Sequence, residues 1–140
     1  MIGLDTNVFL RFLLQDDPKW SPIATRFVET ELTPGNPGYI NICTLIEIVW
    51  SLRSQATYSR GRIAILFEEL LRADNIVLGN RDSVERALDA FRRGKAGFAD
   101  YLIADLNRQA GCSTTMTIDK AAARSSAFEA LGDWSGAGEK

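Results

Sequence analysis

"MIGLDTNVF", residues 1–9, runs from a short apolar stretch straight into Asp5, Thr6 and Asn7 and back into Val8 and Phe9. An ionised acid flanked on both sides by core-forming residues is costly unless something pairs with it. Asp5 therefore needs a partner or a purpose. The residues before it are too few for a helix and read as a short buried strand. Those after it, 6–15, read as a helix with Phe9, Leu10, Leu13 and Leu14 on or near one face.

Strands and helices continue to alternate along the chain, without an internal repeat. A second helix is expected from 21 to 32, with Pro22 in its first turn and Ile23, Ala24, Phe27 and Val28 inward. "TPGNPG" at 33–38 is a loop, and "YINI" at 39–42 a strand leading into a helix over 44–54. Another helix at 62–72 precedes the strand "NIVLG" at 75–79; 81–93 is helical, and "RGKAG" at 93–97 breaks it. A helix over 98–109 presents Leu102, Ile103, Leu106 and Ala110, Gly111 ends it, and "STTMTI" at 113–118 and "AFEAL" at 127–131 are strands. Alternating strands and helices predict an α/β fold with a central parallel sheet of about 4–5 strands, flanked by helices on both faces. Residues 1–131 are expected to form one domain and 132–140 a loose tail. In such a sheet, ligands bind beyond the carboxyl ends of the strands.

Composition narrows the chemistry. The chain has no histidine, which removes histidine acid–base pairs, Ser-His-Asp and Cys-His arrangements and the usual zinc sites. Carboxylates and hard metal ions remain. A net charge of −2 argues against binding nucleic acid through global charge and directs attention to local basic strips. Cys43 and Cys112 lie in apolar neighbourhoods without metal-ligand spacing and are expected to pack as small hydrophobes. Asp5 and Arg11 interrupt any secretory signal, and no window suits a membrane span, so no membrane association and a cytoplasmic location are expected.

Four acids stand in unusual places. Asp5 follows the first strand and Asp119, in "TMTIDKAA", follows the fourth, so both should emerge at the carboxyl edge of the sheet. Glu47 lies among Leu45, Ile46, Ile48 and Val49, at the rim of the core or inside it. Asp100, in "FADYLIADL", shares a helical stripe with Ile103, Ala104 and Asn107 and is expected to face inward at a helix start. Asp105, about 140° further round that helix, is expected to be solvated. Any one aspartate could simply cap a helix or benefit from its dipole. Four together suggest a shared cause, a divalent cation such as Mg²⁺ or Mn²⁺, which takes oxygen ligands and keeps waters for a phosphate substrate.

In their order and separation, "LDTNV" at 4–8, "TLIE" at 44–47, "FADYLIA" at 98–104 and "TID" at 117–119 resemble the four signatures of PIN-domain ribonucleases. The resemblance is to the VapC-type toxins of bacterial toxin–antitoxin pairs in particular. It implies that Asp5, Glu47, Asp100 and Asp119 form a catalytic, metal-binding quartet, with Asn7, Thr117 and Thr44 in support. It further implies a Mg²⁺- or Mn²⁺-dependent endoribonuclease that cleaves RNA such as tRNA, blocked by a cognate VapB-type antitoxin.

Arg92, Arg93 and Lys95, just ahead of Asp100, could receive RNA phosphates, or simply favour a helix carboxyl end. Tyr101 suits either base stacking or packing. Apolar excess at Phe9, Phe12, Leu13 and Trp20 suggests a homodimer interface or a groove for a partner helix. The alternatives are a housekeeping PIN-domain nuclease and a non-catalytic RNA- or metal-binding module. A phosphoacceptor receiver would carry adjacent acids after its first strand, whereas Asp5 is followed by Thr6 and Asn7.

Overall fold

The computed structural model describes residues 1–138, and its opening run is a strand, β1 (Ile2–Gly3), followed after Leu4 and Asp5 by helix α1 (Thr6–Leu14). Asp5 is the N-cap: its backbone is extended and its carboxylate accepts the Thr6 N–H at 2.8 Å. The helix stops at Gln15, which takes a left-handed conformation with φ 52°. That strain is held by the Gln15 amide, which donates to Phe12 O at 2.6 Å and to Thr25 Oγ1 at 2.7 Å. Thr25 belongs to α2 (Trp20–Glu31), so the same amide ties the first two helices together. Asp17 prepares the start of α2. Its carboxylate accepts from Trp20 N and Lys19 N, at 2.7 and 2.9 Å, and these bonds hold its pKa below the usual carboxylate value.

Strand β2 (Gly38–Ile40) lies between β1 and β3 (Ile76–Leu78), and both pairings are parallel. Gly38 sits tightly: a Cβ there would stand 2.9 Å from the Cδ1 atoms of both Leu32 and Leu4, and those buried side chains would have to shift to admit it. Asn41, directly after β2, caps α3 (Ile42–Arg53) by accepting from Thr44 N at 2.9 Å, and Ser59 caps α4 (Arg60–Arg72) in the same way. Ile40, Leu45, Ile48, Leu52 and Phe67 are completely buried, each worth about 1.5–3 kcal/mol of transfer free energy. Together these elements make the first of two compact units, Met1–Arg81.

The second unit begins at Asp82. Helix α5 (Arg81–Arg93) buries Val84, Ala87, Leu88 and Phe91 at helical spacing and leaves its charges outside. After the turn at 94–97 comes α6 (Phe98–Gln109), whose Phe98 ring meets Phe91 edge-on at 6.1 Å. Strand β4 (Thr115–Thr117), the short helix α7 (Lys120–Ala123) and strand β5 (Phe128–Ala130) follow, with β5 parallel to β4. The stretch expected to be a loose tail continues as two 3-10 turns, Leu131–Asp133 and Ser135–Gly138; residues 139–140 lie outside the described residues.

The chain is thus α/β with every strand pairing parallel, as expected, although the strands are short and pair as a set of three and a set of two. Several expectations about faces are corrected. Cys43 and Cys112 are exposed rather than packed. At 100° per residue, Cys43 lies opposite the α3 face that buries Thr44, Leu45, Ile48, Val49 and Leu52, and Cys112 follows Gly111, which turns the chain with φ +101°. Ile23 and Ile103, both expected inward, are 41% and 45% exposed. The buried face of α6 is Phe98, Tyr101, Leu102, Ala104 and Asp105. Asp105 is therefore not solvated. It is 3% exposed, because Arg86 of α5 reaches it with two hydrogen bonds, at 2.8 and 3.0 Å.

Candidate active site

Asp5 and Asp119 follow strands, Asp100 opens a helix and Glu47 lies within one, and local sequence explains each position. Asp5 caps α1 two residues after β1. Glu47 is the sixth residue of α3, whose cap Asn41 directly follows β2. Because β1 and β2 are parallel neighbours, Asp5 and the Asn41 cap of α3 both follow the carboxyl ends of adjacent strands, and Glu47 lies on the second turn of α3. Both acids are exposed, so neither is a buried charge: the core neighbours of Asp5 bury themselves while its carboxylate stays at the rim. Glu47 lies about 130° from the centre of the buried α3 face, which is why the apolar sequence around it does not enclose it.

In the second unit, Asp119 caps α7 by accepting from Ala122 N at 2.8 Å, two residues after the end of β4. Thr117 Oγ1 in turn accepts the Asp119 N–H at 3.0 Å and so fixes the backbone that carries the carboxylate. Asp100, half-buried in the first turn of α6, accepts from Gly97 N at 3.0 Å. At the other end of α6, Asn107 donates to Thr115 Oγ1 at 2.9 Å, where the chain turns back into β4.

Beyond these backbone contacts, none of the four carboxylates has an ion-pair partner among the described residues. Asp16, Glu68, Asp89 and Asp105 each have an arginine instead. The quartet falls two and two in the units, and among the described residues no three acidic or thiol side chains cluster closely enough to hold an ion. The donors themselves are hard carboxylate oxygens with free positions, which suits Mg²⁺ or Mn²⁺ better than softer metals. Next to Asp5, the buried Thr6 hydroxyl has no hydrogen-bond partner among the described residues.

The supporting residues divide. Thr117 orients Asp119 directly. The backbone N–H of Thr44 is taken by the Asn41 cap, and its side chain is buried. Asn7 is exposed beside an apolar groove of about 670 Å³ in the first unit, which Val8, Trp20, Ile23 and Phe27 also line. Arg92, Arg93 and Lys95 are exposed, and Arg93 is paired with Asp89. Tyr101 is buried and its Oη accepts from Ala96 N at 3.3 Å, so it packs rather than stacks on a base.

Sequence reading missed three arginines, Arg86, Arg108 and Arg124, which line one groove in the second unit together with Arg93 and Lys95. The available signal was the seven-residue spacing of Arg86 and Arg93, two turns apart on one face of α5.

Among the described residues, no helix is long and apolar enough to cross a membrane. No curated protein matches the chain. Among solved structures, it is similar to a chain of the crystal structure of FitAcB from Neisseria gonorrhoeae. The identity is 19% and the TM-score 0.36, with 87% of this chain and 90% of that one covered. The PIN-domain family model matches residues 2–126, a span that contains all four acids. The chain therefore belongs to the PIN-domain family, whose members are generally metal-dependent nucleases.

Proposed function

We propose that this protein is a divalent-metal-dependent endoribonuclease of the VapC type, the toxin of a toxin–antitoxin pair, with Asp5, Glu47, Asp100 and Asp119 as its acidic quartet. One observation carries the reading. Three of the acids are aspartates aimed by a backbone N–H at a helix start, Glu47 rides the helix that follows β2, and all four lack a cation partner among the described residues. Asp5 and Asp100 would chiefly hold Mg²⁺ or Mn²⁺, Glu47 would hold or orient the attacking water, and Asp119 would complete the set. When bound, such an ion lowers the pKa of a water and stabilises the attacking and leaving oxygens of an in-line phosphoryl displacement. Thr117, through the Asp119 backbone, and the Gly97 N–H, on Asp100, keep two of the carboxylates in place before the ion arrives.

The apolar groove beside Asn7 supports a protein partner, because exposed Trp20 and Ile23 with buried Ala24 offer a surface that a helix can cover. In the toxin reading that partner is a VapB-type antitoxin. The same surplus of apolar surface suits a homodimer.

The test is cleavage of RNA by the purified chain in Mg²⁺ and in chelator, with the new ends sequenced. Water attack leaves 5′-phosphate and 3′-hydroxyl ends. Cyclic-phosphate products, or cleavage that survives both chelation and Asp5→Asn, would reject the mechanism.

A further inference from the structure

The second unit contains a groove of about 660 Å³, walled by α5, α6 and the segment from α7 to β5. Five cations line it, Arg86, Arg93, Lys95, Arg108 and Arg124, against two carboxylates, Asp89 and Asp105, on a chain whose net charge is −2. Both carboxylates are already committed. The Asp105 side chain is 4% exposed and held by Arg86 at 2.8 Å, with Arg108 at 3.4 Å, and Asp89 pairs with Arg93 at 2.6 Å. Lys95 and Arg124 are exposed, and their side chains have no hydrogen bond or ion pair among the described residues. The lining is therefore a positive field with two uncommitted heads and three more cations anchored around them.

The walls say what kind of anion fits. Apart from Tyr101, the apolar lining consists of alanines and Gly94, while Ser125 and Ser126 supply hydroxyls. A protein partner usually anchors through large apolar or aromatic side chains seated in pockets, and this groove offers none. A nucleic-acid backbone needs only cations and hydroxyls for its phosphates. Arg86 and Arg93 stand seven residues apart on α5, about 10 Å along the axis at 1.5 Å per residue. That is roughly three nucleotides at the ~3.4 Å rise of a stacked strand.

We propose that this groove binds the sugar–phosphate backbone of an RNA strand, independently of base sequence, with Lys95 and Arg124 as direct phosphate contacts. The proposal rests on the ribonuclease reading for its choice of polyanion. The site is distinct from the acidic quartet: on α6 the groove is lined by Tyr101, Ala104, Asp105 and Arg108, whereas Asp100 lies off that face.

The experiment measures binding of a labelled single-stranded oligouridine of about twelve nucleotides to the full chain in chelator, over a range of salt. The comparison is Lys95→Gln/Arg124→Gln, with the melting temperature as the control for folding. Losing two phosphate contacts should lower the slope of log K against log salt by about 1.4 and weaken binding about 25-fold at 0.1 M salt. Unchanged affinity and slope would overturn the proposal, as would a wild-type chain that fails to bind the oligonucleotide without metal. Competition by polyglutamate at equal charge concentration would overturn it in favour of an acidic protein partner. Cleavage is scored separately in Mg²⁺. RNA bound through the groove but never cut would leave the groove standing and remove the nuclease reading, whereas cutting with no effect of the double variant on binding would do the reverse.

Discussion

Replacing Asp105 by asparagine should destabilise the second unit in a way that depends on pH. The Asp105 side chain is 4% exposed, and Arg86 grips both of its oxygens, at 2.8 and 3.0 Å. The Arg86 hydrogen bonds, above all, hold the Asp105 pKa below the usual carboxylate value, with smaller contributions from Ser83, the Arg86 charge and Arg108; burial opposes them. Charge-assisted hydrogen bonds contribute about 1.5–3 kcal/mol each. Against this stand the desolvation that a neutral amide no longer incurs and the screening at Arg86, whose side chain is nearly half exposed. The balance leaves a loss of about 2 kcal/mol for Asp105→Asn at neutral pH. For a chain of this length that is a fall of roughly 6–8 °C in melting temperature. A folded pKa below the unfolded one means the contribution is fully present above about pH 4 and is lost as the pH falls through the folded value. Urea midpoints of the two proteins should therefore differ at about pH 7 and converge in acid. Equal midpoints at neutral pH, or a gap that persists undiminished in acid, would refute the assignment of stability to this ion pair.

The site and its surroundings lead to further expected outcomes. If the quartet holds an ion, saturating Mg²⁺ at about a hundredfold over its Kd should stabilise the wild-type chain by about 2.7 kcal/mol. Asp100→Asn keeps an acceptor for Gly97 N, so it should melt close to wild type without metal and lose both the Mg²⁺ response and cleavage; retained cleavage would exclude Asp100 from the site. Gly94→Ala should cost about 1–3 kcal/mol, because the new methyl group meets the Tyr101 hydroxyl that accepts from Ala96 N. Tyr101→Phe in the same chain should recover part of that loss in a thermal melt, and no recovery would place the strain elsewhere.

The order of elements was readable because each carries its own local signal. Asp5, Asn41, Ser59 and Asp119 cap the helices they precede, and every helix expected from periodicity is present within a few residues. Faces were harder to read. The reading of α6 placed Asp100 and Ile103 inward and Asp105 outward, and the structure reverses this for Ile103 and Asp105. Periodicity assigns a charged residue to water by default, and only the arrival of Arg86, nineteen residues earlier in the chain, makes burial of Asp105 tolerable.

The sequence by itself determined the chemistry available to this protein: no histidine, three aspartates after strands or at a helix start with Glu47 inside a helix, and motifs that resemble those of a PIN domain, the family whose model the chain matches. These properties are local or compositional, set by backbone capping and by which side chains exist at all. Only the tertiary structure decided which charges are spent on each other and which remain for a ligand. Arg86 is taken up by Asp105 across the contact between α5 and α6, while Lys95 and Arg124 have no partner among the described residues and share the groove with it. That division depends on distances between α5, α6 and α7, and Coulomb energy at contact range cannot be read from positions along a chain.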